Sequence, residues 1–183
     1  MNPYAYAIKA ADEIRHILSS VNTDELDAAE KHILAAKAVF VAGTGRSLLM
    51  LKAFAMRLMH FGLTVHVVGE TTTPAITADD MLLIASGSGE TATMLVMAKK
   101  SMEAGANLVA VTTGKESSLA AIARHLVIIP ASSKKSGSYA SWQPSGNSFE
   151  QCLLLVLDCL ALCAAEARGL SPGRTLPLHA NLE

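Results

Sequence analysis

Apolar residues recur at three- and four-residue spacing over residues 6–18 and again over 26–35, a period that predicts two amphipathic helices. Asn22 or Thr23 would cap the second. The period then changes. Residues 38–42 are short and continuously apolar, a buried strand, and run into Gly43-Thr44-Gly45-Arg46-Ser47. A helix is predicted from about 48 to 60, with Gly62 as its stop. Residues 65–68 and 81–85 read as a second and third strand. The pattern then gives a helix over 91–103 ending at Gly105, a strand over 108–111, a short helix over 119–123 and a strand over 126–129 closed by Pro130.

Strands that are apolar along their whole length, alternating with helices, belong to a parallel sheet covered on both faces. The predicted fold class is therefore α/β: one domain over residues 1–183, with a five-stranded parallel sheet in a flavodoxin-like three-layer sandwich. Residues 131–147 break the pattern. They are Ser-rich, carry Lys134-Lys135, Trp142 and Gln143-Pro144, and read either as a lid or interface loop or as a solvated connection. A last helix, about 148–168, is apolar nearly all round. Such a helix is usually covered by more protein, here by a second subunit. No internal repeat is present.

Composition narrows the function. With 51% hydrophobic residues in 183, the chain can bury a sizeable core, and a net charge of −1 without a long basic block argues against nucleic acid. Met1-Asn2-Pro3-Tyr4 does not open a signal peptide, and the apolar run 152–165, interrupted by Asp158, reads as too short to span a bilayer. Cys152, Cys159 and Cys163 fall at helical spacing and read as buried thiols in a reducing cytoplasm. No Cys-x-x-Cys, His-x-x-x-His or carboxylate cluster suggests a metal site.

The chemistry concentrates in Ser86-Gly87-Ser88-Gly89-Glu90-Thr91, a small-residue loop between a strand and a helix. Amides and hydroxyls gathered at the positive end of a helix dipole suit a phosphate ester. The loop lacks the Gly-Lys-Ser/Thr ending of a nucleotide P-loop and is not Gly-x-Gly-x-x-Gly, so a monophosphate is expected. An ordinary helix N-cap is the plainer reading of the same residues. Both this loop and residues 43–47 leave their strands at the edge where ligands sit in such sheets, which favours the phosphate.

With both loops placed, the chain resembles the sugar isomerase (SIS) domain family, and within it the 6-phospho-3-hexuloisomerase group. The matching segments are Gly43-Thr44-Gly45-Arg46-Ser47, the helix at 52–60, Val68-Gly69-Glu70-Thr71-Thr72-Thr73-Pro74-Ala75-Ile76 and the loop at 86–91. They continue with Gln143-Pro144-Ser145-Gly146-Asn147-Ser148-Phe149-Glu150-Gln151 and His179-Ala180-Asn181-Leu182-Glu183. Thr44, Leu48 and the polar stretch 145–148 depart from the usual pattern and bear on the shape of the pocket. The resemblance implies interconversion of 3-hexulose 6-phosphate and fructose 6-phosphate, in a route that removes fixed formaldehyde. It also implies a cytoplasmic homotetramer with sites between subunits, to which helices within 3–36 and the tail 170–183 would contribute contacts.

Moving a carbonyl between C2 and C3 needs a base to take the proton from the neighbouring carbon and a donor or cation for the enediolate, and no cofactor or metal. Glu150, which matches the family's proposed base, is the first candidate; a first-turn carboxylate stabilised by the helix dipole is the alternative. Ser86, Ser88 and Thr91 would hold the phosphate with their hydroxyls, helped by the amides of Gly87, Gly89 and Glu90, and Ser47 would complete the cradle. Arg46 would stabilise the enediolate or touch a sugar hydroxyl, or else pair with a surface carboxylate. Glu70 is a second acid/base candidate. His179 would cross to a neighbour's site to open the ring or carry protons, unless the tail is unstructured. His60 and His66 read as structural, and Lys134 and Lys135 either attract the anionic substrate or are solvated.

Two rival functions remain. An arabinose-5-phosphate isomerase would use the same domain but usually carries regulatory domains and a His-Gly-Asp segment where this chain has residues 70–73. A non-catalytic phosphosugar-binding module in a transcription regulator would bring a helix-turn-helix and a basic face, which are missing here.

Overall fold

The computed structural model describes residues 2–132 and 141–170. Five strands form one parallel sheet in the order β2-β1-β3-β4-β5: β1 (Val39–Gly43), β2 (Val65–Val67), β3 (Met81–Ala85), β4 (Asn107–Thr112) and β5 (His125–Ile128). The helices are α1 (Pro3–Leu18), α2 (Thr23–Ala35), α3 (Gly45–His60), α4 (Ala92–Glu103), α5 (Ser118–Ile122) and α6 (Asn147–Ala167). Strand order reverses between β1 and β3, so the chain leaves their carboxyl ends towards opposite faces of the sheet and a crevice opens between the two connections.

Alternation along the strands sorts two cores. Val39, Val41, Leu83 and Val109 face a layer built from α1, α2, α3 and α6, while Phe40, Ala42, Leu82 and Ala110 face α4 and α5. Below the crevice, the buried Asp80 ties the sheet's amino edge together. Its Oδ1 accepts from the amide of Ala38, and its Oδ2 from the amide and hydroxyl of Thr77 at 2.8 and 2.7 Å.

Asn22 does cap α2, its side chain accepting from the Asp24 amide. Three expectations change. Helix α3 begins at Gly45, so residues read as a loop form its first turn; Gly45 enters with φ +55. Helix α6 runs for 21 residues, longer than the apolar stretch inside it, and by length and composition it is apolar enough to cross a membrane. In the fold, 56% of its most apolar window is buried. Leu153, Leu157, Ala161 and Ala164 join the core with α1, α2 and α3, while Leu155, Leu162, Cys159 and Cys163 stay exposed. Of the three thiols only Cys152 is buried.

Candidate active site

A crevice of about 380 Å3 opens at the β1/β3 divergence, between the loops that follow those strands and the start of α6. Thr44, Gly45, Arg46 and Ser47 line one wall, Ser86, Gly87, Ser88 and Thr91 the floor, and Ser145, Gly146, Phe149 and Glu150 the other wall. Three helices therefore point their amino ends at one space. Their N-cap residues, Thr44, Thr91 and Gly146, make no side-chain capping bond. The three helices that begin elsewhere are each capped, by Asn2, Asn22 and Ser117. Unsatisfied amides and partial positive charge are thus kept for whatever enters.

The floor loop is held from behind. The Gly87 carbonyl accepts from the Thr113 hydroxyl at 2.7 Å, with the Thr113 amide and the Thr112 hydroxyl at 3.3 Å. Because the peptide is planar and trans, the Ser88 N–H points the opposite way. Among the described residues, the amides of Gly87 and Ser88 donate to no protein acceptor. Gly89 turns at φ +63 with no room for a side chain, since a Cβ would lie 2.2 Å from Ser117 Oγ. A Cβ on Gly87 would press on the Phe149 ring at 3.2 Å.

This geometry redistributes the expected phosphate donors. Ser86 and Thr91 set their hydroxyl oxygens 3.2 Å apart, and Ser88 Oγ, while accepting from the Glu90 amide, keeps its own proton to donate. The Gly89 amide is spent on Ser86, and that of Glu90 on Ser88. The Glu90 carboxylate faces away from the crevice, accepting from the amide and hydroxyl of Ser118 at 2.7 and 2.8 Å at the start of α5. A five-residue helix gains an anion at its positive end, a structural use of Glu90. Ser145 and Phe149, from the matching segment 143–151, line the crevice, and so does Ser132, which nothing in its local sequence separates from a loop serine.

Glu150 stands in the first turn of α6 with its side chain 15% exposed, and the Arg46 guanidinium Nε donates to its carboxylate. Arg46 comes from the first turn of α3, where a cation is disfavoured by the dipole, and Glu150 offsets that cost. Base candidate and cation candidate are therefore adjacent. Glu70 is elsewhere. It follows β2, beyond β1 from the crevice, pairs with Lys52 at 3.1 Å and borders a separate hollow with His66 and Thr72. His179, Lys134 and Lys135 lie outside the described residues.

The model of the SIS domain matches residues 32–157. The 3-hexulose-6-phosphate isomerase of Mycobacterium gastri is 44% identical over 173 residues, covering 94% of this chain and 87% of its own. That of Bacillus subtilis is 39% identical, with both chains covered in full. Among solved structures, a Methanococcus jannaschii protein, whose crystal structure was taken to infer a 3-hexulose-6-phosphate isomerase function, superposes with TM-score 0.82. It shares 30% identity over 95% of this chain and 97% of its own.

Proposed function

The chain belongs to the SIS domain family, and we propose that it is an isomerase that interconverts 3-hexulose 6-phosphate and fructose 6-phosphate. The observation that carries this reading is the crevice itself: unspent amides and hydroxyls of the 86–91 loop on one side, and the Arg46–Glu150 pair across from them. Ser86, Ser88 and Thr91, with the amides of Gly87 and Ser88 and the hydroxyl of Ser47, hold the phosphate. Glu150 takes the proton from C2 of the 3-ketose. Electrons pass into a C2–C3 enediolate whose oxygen charge Arg46 balances, the hydroxyl proton moves from O2 to O3, and Glu150 returns its proton to C3, which leaves the carbonyl at C2.

The same reading takes the chain as a cytoplasmic homotetramer with neither membrane nor nucleic acid as partner, serving formaldehyde fixation or detoxification. Leu155 and Leu162, 45% and 38% exposed on α6, are the surface that supports assembly. Glu70, remote from the crevice of its own subunit, and His179 would then reach the site of a neighbour.

The experiment couples purified hexulose-phosphate synthase, formaldehyde and ribulose 5-phosphate to detection of fructose 6-phosphate. Product formed only with this protein supports the reading. If none forms, it fails, and arabinose 5-phosphate turnover and then phosphosugar binding without turnover are measured in its place.

A further inference from the structure

Helix α1 has an unexpected relation to the site. Tyr6, Lys9 and Glu13 recur at helical spacing on one side of it, and all three meet the segment that enters α6. The Tyr6 and Trp142 rings stack at 5.5 Å between centroids and 25° between planes. Lys9 Nζ sits 4.6 Å over the Trp142 ring. Gln143 Nε2 donates to Glu13 Oε2 at 3.1 Å across a separation of 130 residues. Both members of that last pair are buried, Glu13 at 6% exposure and Gln143 at 8%.

Glu13 is a costly residue for this place. A carboxylate inside a helix interface with one amide partner, its Oε1 lacking any partner among the described residues, is disfavoured against an apolar side chain of similar size. It also reaches α6: burial, and then the charge of Glu13, push the Cys152 thiol up to about 12, and Cys152 lies two residues beyond Glu150. What the pair secures is geometry. From Gln143 the chain passes directly through Pro144 to Ser145 and Gly146, which line the crevice. The Pro144 carbonyl accepts from the Asn147 amide and the Gly146 carbonyl from the Glu150 amide, both at 3.0 Å.

We propose that α1 is a positioning strut for the active site, in which Glu13 anchors Gln143, Tyr6 and Lys9 clamp Trp142, and the fixed segment sets Ser145, Gly146 and Glu150 against the crevice. This rests on the isomerase reading above. The phosphate floor is the loop after β3, braced by Thr112 and Thr113, and none of Tyr6, Lys9, Glu13, Trp142 or Gln143 lines it, so loosening the strut is expected to act first on the proton-moving side.

The test joins kinetics to an optical signal, since Trp142 is the chain's one tryptophan. In the full-length protein, Gln143→Leu and Glu13→Leu are each expected to lower kcat about 10- to 100-fold, the scale of a misplacement near 1 Å, with KM within about twofold. Glu13→Gln keeps an acceptor for Gln143 and restores kcat. The double Leu variant falls no further than either single one, as expected for residues acting as a unit. Tyr6→Ala, a surface change that keeps the core, raises acrylamide quenching of Trp142 and lowers kcat in the same direction. Unchanged kcat and quenching in the folded variants overturn the strut, as does a fall in KM affinity equal to the fall in kcat. If the wild type makes no fructose 6-phosphate, the isomerase reading fails. Trp142 quenching in Gln143→Leu, which needs no turnover, then decides the strut alone: quenching equal to wild type overturns it.

Discussion

Arg46 and Glu150, 104 residues apart in the chain, form an ion pair at the crevice in which the guanidinium is 55% exposed and the carboxylate 15%. The base candidate thus rests against the cation that would balance its product's charge, and its two partners come from the first turns of different helices.

Replacing Glu150 by Gln keeps the shape and the helix start but removes the proposed base. Isomerisation should fall about 10²- to 10⁴-fold in kcat with KM nearly unchanged, read in the coupled fructose 6-phosphate assay. A variant that retains wild-type kcat moves the proton transfer to another group.

Arg46→Met removes the cation and leaves Glu150 without its partner. The expected loss is about 10²- to 10³-fold in kcat, the scale for one donor to a developing oxyanion. Arg46→Lys restores the charge without the planar fork and should recover part of it. Steady-state kinetics on both variants distinguish this from a surface pairing, which would leave kcat alone.

Ser86→Ala and Thr91→Val act on the floor. Each removes a hydroxyl that would bond a charged group, worth about 1.5–3 kcal/mol, so KM should rise roughly 10- to 100-fold while kcat holds. Competitive inhibition by inorganic phosphate should weaken in parallel. A kcat loss at constant KM would remove these hydroxyls from the phosphate site.

Away from the site, the His32 and His125 rings lie 3.8 Å apart where α2 covers β5. Burial, and then the charge of His125, hold the His32 imidazole below its ordinary value. Above about pH 7 the ring is neutral whether folded or unfolded. As pH falls through about 6.5 the unfolded chain takes up the proton first, so stability declines toward acid. Urea midpoints at pH 8 and pH 5.5 should show this, and His32→Gln should flatten the difference.

Leu155→Glu combined with Leu162→Glu introduces charge on the exposed apolar side of α6. If that surface joins subunits, light scattering should report a smaller assembly, with the far-ultraviolet spectrum of the fold retained. An unchanged mass moves the interface to another surface.

Much of the fold could be read in the chain because strands such as 81–85 are apolar without a break and the helices between them keep their period. The place of the crevice was readable too, since Ser86, Gly87 and Ser88 are small residues between a strand and a helix and do line it. Other parts depend on distant neighbours. Glu90 resembles a phosphate-loop residue until α5, 28 residues on, is seen to need an anion at its start. Glu70 leaves the sheet at the correct edge, but strand order places β2 outside β1, and order across a sheet has no local signature. Gln143 and Glu13 look like ordinary polar residues because each is explained only by the other.

Thr44, Thr91 and Gly146 begin their helices without a capping side chain. At these three places, strengthening the empty protein and weakening its hold on a ligand become the same change. Thr44→Asp would supply α3 with an acceptor and an anion of its own, and it would do so where an incoming phosphosugar brings both. A cap added at any of these positions is therefore expected to raise the heat tolerance of the unliganded chain and to weaken its hold on a phosphosugar together.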